Sequence, residues 1–195
     1  MKKFVSILLA AVVMIGATFS LASCSSDKTY VRMTFKDFGE IVIEVDHKEA
    51  PKTANHFVKL VESGYYDGLL LTRAQQSFVL QGGDGNEDSP EIDPVVGEFE
   101  SNGYQNDLSH TRGAISMART NEPDSAVSTF FICLSESCIQ LDGNYAAFGY
   151  VVEGMDVVDS IVEYMLPYGG YMGFVTSIEG CVVIESASVD EDYTK

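Results

Sequence analysis

The chain contains residues whose types could do acid–base, nucleophilic or metal chemistry, but their spacing does not organise them for these reactions. The three histidines, His47, His56 and His110, are scattered, and we expect surface, capping or hydrogen-bonded structural roles for them. The motifs of serine hydrolases (Gly-x-Ser-x-Gly), of zinc proteases (His-Glu-x-x-His) and of phosphate-binding loops do not occur. The sequence therefore predicts neither a cofactor nor a catalytic metal.

One acidic segment imitates a calcium-binding loop. Asp84, Asn86 and Asp88 have the spacing that opens an EF-hand, but Ser89 stands where glycine is needed and Val95 stands where the bidentate glutamate belongs. No helical pattern leads into the segment. We therefore interpret it as a solvated acidic loop.

Composition limits the class of partner. The 195-residue chain carries 12 Lys+Arg against 29 Asp+Glu, a formal charge of −17. Its 46% of hydrophobic residues is typical of a folded protein, and its length suits one domain. Nucleic acids and anionic lipid surfaces are recognised by clustered Lys and Arg, so the acidic balance argues against both.

The N-terminal segment has the pattern of a secretory signal peptide. Lys2 and Lys3 precede an apolar run over residues 4–20, and a Leu-Ala-Ser-Cys ending follows. That ending resembles the lipobox of bacterial lipoproteins, which implies removal of residues 1–23 and lipid on Cys24. An uncleaved membrane helix is the alternative, but the apolar run is near the lower length limit for spanning.

The lipoprotein pattern implies a short tether over residues 24–28 and a location outside the cytoplasmic membrane, on the periplasmic or cell-surface side.

Three further cysteines remain, Cys133, Cys138 and Cys181, so at least one thiol is free or paired between chains. Cys133 lies in an apolar run that reads as a strand, and we expect it to be a small core residue.

Hydrophobic periodicity predicts one β-rich domain after the tether. Alternating or short apolar runs indicate eight strands, over residues 30–35, 41–45, 69–73, 78–81, 113–118, 130–134, 147–152 and 181–185. Helical stripes start near Pro51 and Met155, and Gly64 can end the first helix. This pattern favours an antiparallel barrel or sandwich with helical caps, followed by a polar tail over residues 188–195.

A series of short motifs occurs in a specific order along this domain. They are Gly64-Tyr65-Tyr66-Asp67-Gly68, Gln81-Gly82-Gly83-Asp84, Phe130-Phe131-Ile132, Leu141-Asp142-Gly143 and Ala147-Phe148-Gly149. In this order and spacing the chain resembles the bacterial cyclophilin-type peptidyl-prolyl cis-trans isomerases over residues 29–187. The resemblance implies a mainly β fold, an eight-stranded antiparallel closed β-barrel capped by two α-helices.

The chemistry of such an isomerase needs no nucleophile and no metal. Rotation about an X-Pro bond breaks no covalent σ-bond, and its barrier of about 18–20 kcal/mol comes from amide resonance. An acceleration of ~10³–10⁵ needs about 4–7 kcal/mol of preferential binding to the twisted state. An apolar slot for the proline ring and a fixed donor near the prolyl nitrogen are the required parts.

The resemblance implies Arg73 as the catalytic cation and Gln81 as the residue that holds a substrate carbonyl. Adjacent strand residues point to opposite faces, so Phe130 and Phe131 cannot share one role. The resemblance implies Phe131 in the groove, which leaves Phe130 for the core. The backbone of Arg119 is expected to matter more than its side chain. The residues implied in substrate binding are Phe78, Val79, Gln81, Ala118, Arg119, Thr129, Phe131, Leu141 and Tyr145.

Several positions depart from the family pattern, and three of them lie among or beside the implied site residues. Thr72 stands where the family usually has His, Val79 replaces a usual Met, and Thr129 replaces a usual Gln. Because these departures leave Arg73 and the apolar residues in place, we expect activity to persist with an altered rate or substrate preference.

Two functions remain open. The first is a lipid-anchored isomerase that acts on proline-containing segments of secreted or envelope proteins. The second is a non-catalytic or weakly catalytic lipoprotein that binds proline-containing peptides as a chaperone. A purely structural surface lipoprotein is a third, which leaves the pocket residues unexplained. We expect a monomer, since no long heptad repeat or interface stripe occurs.

Overall fold

Eight strands and two longer helices make up the fold in a computed structural model that describes residues 27–194. The strands are β1 (Lys28–Phe35), β2 (Gly39–Asp46), β3 (Leu70–Gln75), β4 (Val79–Gly82), β5 (Ala114–Met117), β6 (Phe130–Cys133), β7 (Ala147–Glu153) and β8 (Val182–Val189). They form a closed antiparallel barrel in the order β1-β2-β7-β5-β6-β4-β3-β8. The helices are α1 (Pro51–Glu62) and α2 (Met155–Met165). The predicted fold is therefore confirmed, and the barrel alternative is the correct one.

The barrel interior and the apolar faces of both helices form one continuous core. Phe57 of α1 is fully buried, and its ring centroid lies 4.8 Å from that of Phe148 and 6.1 Å from that of Phe130. On α2, the predicted stripe is buried except for its first residue, Met155, which is half-buried. This core fixes the strands whose outer faces carry the candidate site.

The N-terminus of α1 is held by a residue that the sequence patterns did not single out. Ala50 precedes the helix and offers no side-chain cap. The buried carboxylate of Glu98 instead accepts hydrogen bonds from the backbone N–H groups of Lys52 (3.1 Å) and Thr53 (2.8 Å). A negative charge at a helix N-terminus also interacts favourably with the helix dipole.

The last strand is longer than its apolar pattern indicated. β8 runs to Val189 instead of ending at residue 185, so it includes the first two residues of the segment predicted as a tail. Asp190 follows and accepts hydrogen bonds from Arg32, at 3.1 Å from Nε and 2.7 Å from Nη2. The end of β8 is thus held to β1 by an ion pair as well as by the hydrogen bonds of the sheet.

The predicted signal peptide and Cys24 lie outside the described residues. Among residues 27–194, no helix combines the length and the apolar character needed to cross a membrane.

Candidate active site

Three neighbouring strands place a cation, an amide and an aromatic ring side by side on the outer face of the barrel. Arg73 of β3 pairs with Gln81 of β4, and Gln81 pairs with Phe131 of β6. Residues paired across antiparallel strands point to the same face, and their neighbours in sequence point to the other. Accordingly Leu80 and Phe130 are fully buried in the barrel core. The predicted division between Phe130 and Phe131 is therefore what the structure has.

These outward side chains line a groove of about 220 Å³. The groove is lined by Arg73, Phe78, Val79, Gln81, Ala118, Arg119, Phe131, Leu141, Tyr145 and Phe174. Nine of the ten predicted site residues are thus brought together. The tenth, Thr129, lies in an adjoining cavity, and Phe174 was not predicted.

The floor of the groove is apolar and is a small hydrophobic cluster separate from the barrel core. Its buried members are Val79, Ala114, Phe131, Cys133 and Cys138, and the half-buried residues that pack on them include Phe78, Leu141 and Tyr145. Cys133 is fully buried, as predicted for a core residue, although it belongs to this smaller cluster. The floor therefore offers an apolar surface to a small ring.

The guanidinium of Arg73 is fixed by three acceptors. Nε donates to the carbonyl oxygen of Met172 (2.9 Å), Nη1 to Oε1 of Gln81 (3.2 Å) and Nη2 to Oε1 of Gln75 (2.7 Å). Within the described residues these bonds use three of the five N–H groups of the side chain, and two remain for a ligand. Partial burial lowers the pKa of Arg73 from its ordinary value, but a guanidinium stays cationic at neutral pH.

Two aromatic rings also hold this guanidinium. The carbon at its centre lies 5.9 Å from the ring centroid of Phe78 and 5.0 Å from that of Phe174, which are cation–π distances. Phe174 and Met172 belong to the turn-rich segment between α2 and β8. Sequence reasoning missed both, because no strand pattern in that segment ties it to β3.

The side chain of Arg119 supports the groove wall. Its guanidinium lies 4.6 Å from the ring centroid of Tyr145 and 5.0 Å from that of Phe99, and its Nη2 donates to the carbonyl oxygen of Asn144 at 2.7 Å. Tyr145 in turn meets Phe131 edge-on, with centroids 5.7 Å apart. Besides its backbone, Arg119 therefore contributes a side chain that positions Tyr145.

His110 lies buried behind the groove and stacks on Phe131, with ring centroids 5.9 Å apart. Its Nδ1 is hydrogen-bonded to Asp142 (2.7 Å) and its Nε2 to the hydroxyl of Ser116 (3.1 Å). Burial lowers the pKa of His110 and outweighs the neighbouring carboxylate, which raises it. The ring is thus a hydrogen-bonded structural group, as predicted.

A second cavity, of about 580 Å³, adjoins the groove. The two share Gln81, Ala118 and Arg119. The hydroxyl of Thr129 donates to one oxygen of the Asp84 carboxylate, and the hydroxyl of Thr72 lies 3.5 Å from the other. Two of the departures from the family pattern therefore meet on one carboxylate at the wall of this cavity.

The acidic loop around this carboxylate is held by its own side chains. Oδ1 of Asn86 accepts from the backbone N–H of Asp88 (2.9 Å) and from the hydroxyl of Ser89 (3.2 Å). In the part of the chain that the structure describes, no group of three or more His, Cys, Asp or Glu side chains is arranged to hold a metal ion.

Comparison with known proteins decides the family. The sequence profile of "Cyclophilin type peptidyl-prolyl cis-trans isomerase/CLD" matches residues 30–183. The chain belongs to this cyclophilin family. It is 37% identical over 190 residues to peptidyl-prolyl cis-trans isomerase A of Dickeya dadantii, and the alignment covers 94% of this chain and 96% of the relative. It is also 34% identical over 163 residues to peptidyl-prolyl cis-trans isomerase B of Escherichia coli, covering 78% and 95%.

Solved cyclophilin structures share the fold. A cyclophilin-type isomerase of Cryptosporidium parvum aligns with a TM-score of 0.69 at 24% identity, over 84% of this chain and 99% of that chain. The cyclophilin AquaCyp293 of Hirschia baltica aligns with a TM-score of 0.67 at 23% identity, over 87% and 76%. The prediction of a peptidyl-prolyl cis-trans isomerase is confirmed through the relatives in sequence, and that of the barrel through the structures.

Proposed function

We propose that this isomerase accelerates rotation about X-Pro bonds in secreted or envelope proteins, with Arg73 as the catalytic cation. The observation that carries the proposal is the fixed guanidinium of Arg73 at the wall of an apolar groove of about 220 Å³. The pyrrolidine ring would enter this groove against Phe131 and Leu141. Burial of the ring fixes one side of the bond while the other side rotates.

The cation favours the twisted amide over both planar forms. In the planar amide the lone pair of the prolyl nitrogen is delocalised, whereas in the twisted state the nitrogen becomes pyramidal and can accept a hydrogen bond. Arg73 has two N–H groups available for it, and its three acceptors and two flanking rings hold it in place beforehand. A preorganised donor of this kind needs no reorganisation during the reaction.

Gln81 supplies the second anchor. Its Oε1 accepts from Nη1 of Arg73, so its amide NH₂ group is left to donate to a substrate carbonyl beside the proline. This hydrogen bond holds Arg73, which would donate to the prolyl nitrogen, in a fixed position relative to Gln81, which would donate to the substrate carbonyl.

One observation favours catalysis over peptide binding alone. Thr72 and Thr129, two of the departures from the family pattern, contact Asp84, and within residues 27–194 neither makes a hydrogen bond with Arg73. The C. parvum neighbour was crystallised in the presence of the dipeptide Ala-Pro, which supports a proline-containing occupant for the groove.

The location rests on the N-terminal sequence. The lipobox-like ending at Cys24 and the signal-peptide pattern over residues 1–23 support an extracytoplasmic protein anchored through lipid. Metabolic labelling of cells with a fatty acid would test this: label on the parent and none on Cys24→Ser is the expected result, and label on both contradicts the anchor.

The activity is tested on the chain from residue 25 onward, which contains every strand and helix of the barrel. We expect fast isomerisation of an Ala-Pro or Phe-Pro peptide. Arg73→Ala should lose ~10²–10³ of kcat/KM, the effect of removing one preorganised transition-state donor. Arg112→Ala, which removes an arginine outside the groove, is the matched control and should keep the rate. A folded parent that binds the peptide but does not accelerate its isomerisation would establish the alternative, a protein that binds proline-containing peptides without catalysis.

A further inference from the structure

An uncharged segment interrupts this acidic protein directly beside the groove. Residues 164–178 contain no Asp, Glu, Lys, Arg or His, although the chain carries a formal charge of −17. Among the described residues six large hydrophobic side chains are exposed, and five of them lie in this segment. Three of the five are consecutive or nearly so: Tyr171 (87% exposed), Met172 (51%) and Phe174 (46%). We call these three residues the ledge.

The ledge is attached to the strand that carries Arg73. Phe174 forms an isolated bridge with Arg73, and the N–H of Val175 donates to the carbonyl oxygen of Thr72 at 2.9 Å. The base of the loop is closed by a second bridge between Gly169 and Val175. The segment therefore continues the sheet at the point where the groove begins.

Close backbone contact makes this attachment tight. At Gly173, with φ of +81°, a Cβ atom would lie 2.5 Å from the carbonyl oxygen of Ala74, so only glycine fits. Met172 has a left-handed backbone (φ 56°) and its carbonyl accepts the bond from Arg73. A surface held in this way loses little conformational freedom when a ligand binds.

The ledge is continuous with the groove. Phe174 lines the groove with one part of its surface and is 46% exposed. Its backbone N–H donates to the carbonyl oxygen of Tyr171 at 3.3 Å, which connects the other end of the ledge to the groove. An extended peptide with its proline in the groove therefore has an apolar surface within a few residues of the proline. Within residues 27–194, none of the ledge residues lines the cavity beside Asp84.

We propose that the ledge binds an aromatic or aliphatic side chain of the substrate polypeptide, a few residues from the proline. This inference rests on the proposed function and specifies its substrate class: unfolded segments in which a proline has an apolar neighbour. Such segments are buried in folded proteins and exposed in unfolded ones. The continuity of the ledge with the groove and its lack of charge support this occupant over an acidic or folded partner.

The test compares short and extended peptides on the chain from residue 25 onward. The short peptide has only Ala-Pro with flanking Gly. The extended series adds a single Phe at each of one to five residues before or after the proline, with Ser at the same position as the reference. Tyr171→Ser removes the most exposed ledge residue, which does not line the groove. Ile178→Ser is the matched control, because Ile178 is 77% exposed in the same segment and lines neither cavity.

We expect the parent to prefer Phe over Ser by about 5–10-fold in kcat/KM at one or two positions, through a lower KM, as for one apolar contact. Tyr171→Ser should reduce this preference to less than about 3-fold while its rate on the short peptide stays the same. Ile178→Ser should behave as the parent. Equal preference in the parent and in Tyr171→Ser, with normal rates on the short peptide, would overturn the ledge and leave the isomerase intact.

Failure of the proposed function has a different signature, since the parent would then isomerise neither short nor extended peptides.

A second copy of the chain is the competing occupant of the ledge. Sedimentation velocity that shows a dimer in the parent and a monomer in Tyr171→Ser, without any Phe preference, would overturn the proposal in favour of self-association.

Discussion

The groove and the cavity beside it differ in how they are built. The groove takes Arg73, Gln81 and Phe131 from β3, β4 and β6, whose register sets these three residues next to each other. The cavity is larger, about 580 against 220 Å³, and its wall includes loop residues such as Asp84, Glu91 and Ser125. The groove has an apolar floor and two arginines, Arg73 and Arg119, in its lining, whereas the lining of the cavity includes the carboxylates of Asp84 and Glu91.

This difference indicates a division of labour. Twisting an amide requires atoms held in fixed positions, and a barrel sheet with a packed cluster beneath it provides them. Loops tolerate sequence change, so the neighbouring cavity is where members of a fold can vary what they accept. The departures at Thr72 and Thr129 agree with this view, because both contact the Asp84 carboxylate of the cavity.

Adjacent residues on β6 allow the groove to be broken without the barrel. Phe131→Ala removes the ring on which the proline would pack, and we expect kcat/KM to fall by ~30–100-fold, which corresponds to about 2–3 kcal/mol of lost apolar contact. Phe130→Leu changes the neighbouring ring, which is fully buried in the core. It should lower the melting temperature and leave kcat/KM unchanged. Activity loss in Phe130→Leu equal to that in Phe131→Ala would contradict the separation of groove and core.

The cavity is expected to have a smaller effect that depends on substrate charge. Asp84→Asn should reduce any preference for Lys over Glu in the residues next to the proline by no more than about 5-fold, since an exposed ion pair contributes about 0–1 kcal/mol. The measurement is kcat/KM on a peptide series with Lys, Gln or Glu at each neighbouring position, at low and high salt.

Glu87→Gln is the control for net charge. It makes the same charge change in the same loop, but Glu87 does not line the cavity. Equal effects of the two variants would show that the total charge of the protein, and not the position of Asp84, sets the preference.

The contribution of His110, which packs behind the groove, to the stability of the fold should depend on pH. Because burial lowers the pKa of His110 in the folded state, the unfolded chain takes up a proton at higher pH than the folded chain does. The stabilisation from neutral His110 is therefore complete above its unfolded pKa of about 6.5 and declines as the pH falls toward 5. Thermal unfolding of the parent between pH 8 and 5 should show this decline.

His110→Asn should be less stable at pH 8, because it loses the stacking on Phe131, but its stability should change less between pH 8 and 5. His47→Gln, which alters a more exposed histidine, serves as the control and should keep the slope of the parent. Parallel slopes for the parent and His110→Asn would show that another group causes the decline.

The sequence predicted those parts of the molecule in which neighbours along the chain decide the structure. Alternation and short apolar runs identified all eight strands, and alternation placed Phe130 and Phe131 on opposite faces, because the side-chain period of a strand is two. The ordered motifs supplied the grouping of distant strands, which periodicity alone does not give. The apolar pattern underestimated β8, because its last residues alternate with Ser and Glu at the surface.

The missed residues act through contacts between segments far apart in sequence. Glu98 reaches back to the start of α1, and Phe174 reaches the Arg73 side chain across a bridge with β3. Neither contact leaves a periodic signal. Thr129 was included among the substrate-binding residues because the resemblance places it where the family usually has Gln, but its hydroxyl turns to Asp84 in the cavity.

The most direct test of the account is to separate binding from turnover at Arg73. NMR exchange spectroscopy on one Ala-Pro peptide with the parent and with Arg73→Ala measures both its affinity and its cis–trans rate on the protein. The account predicts an affinity within about 3-fold of the parent and an on-protein rate that falls by at least ~10², because the donor acts on the twisted state. A variant whose affinity falls as far as its rate, or whose rate on the protein is unchanged, would contradict it.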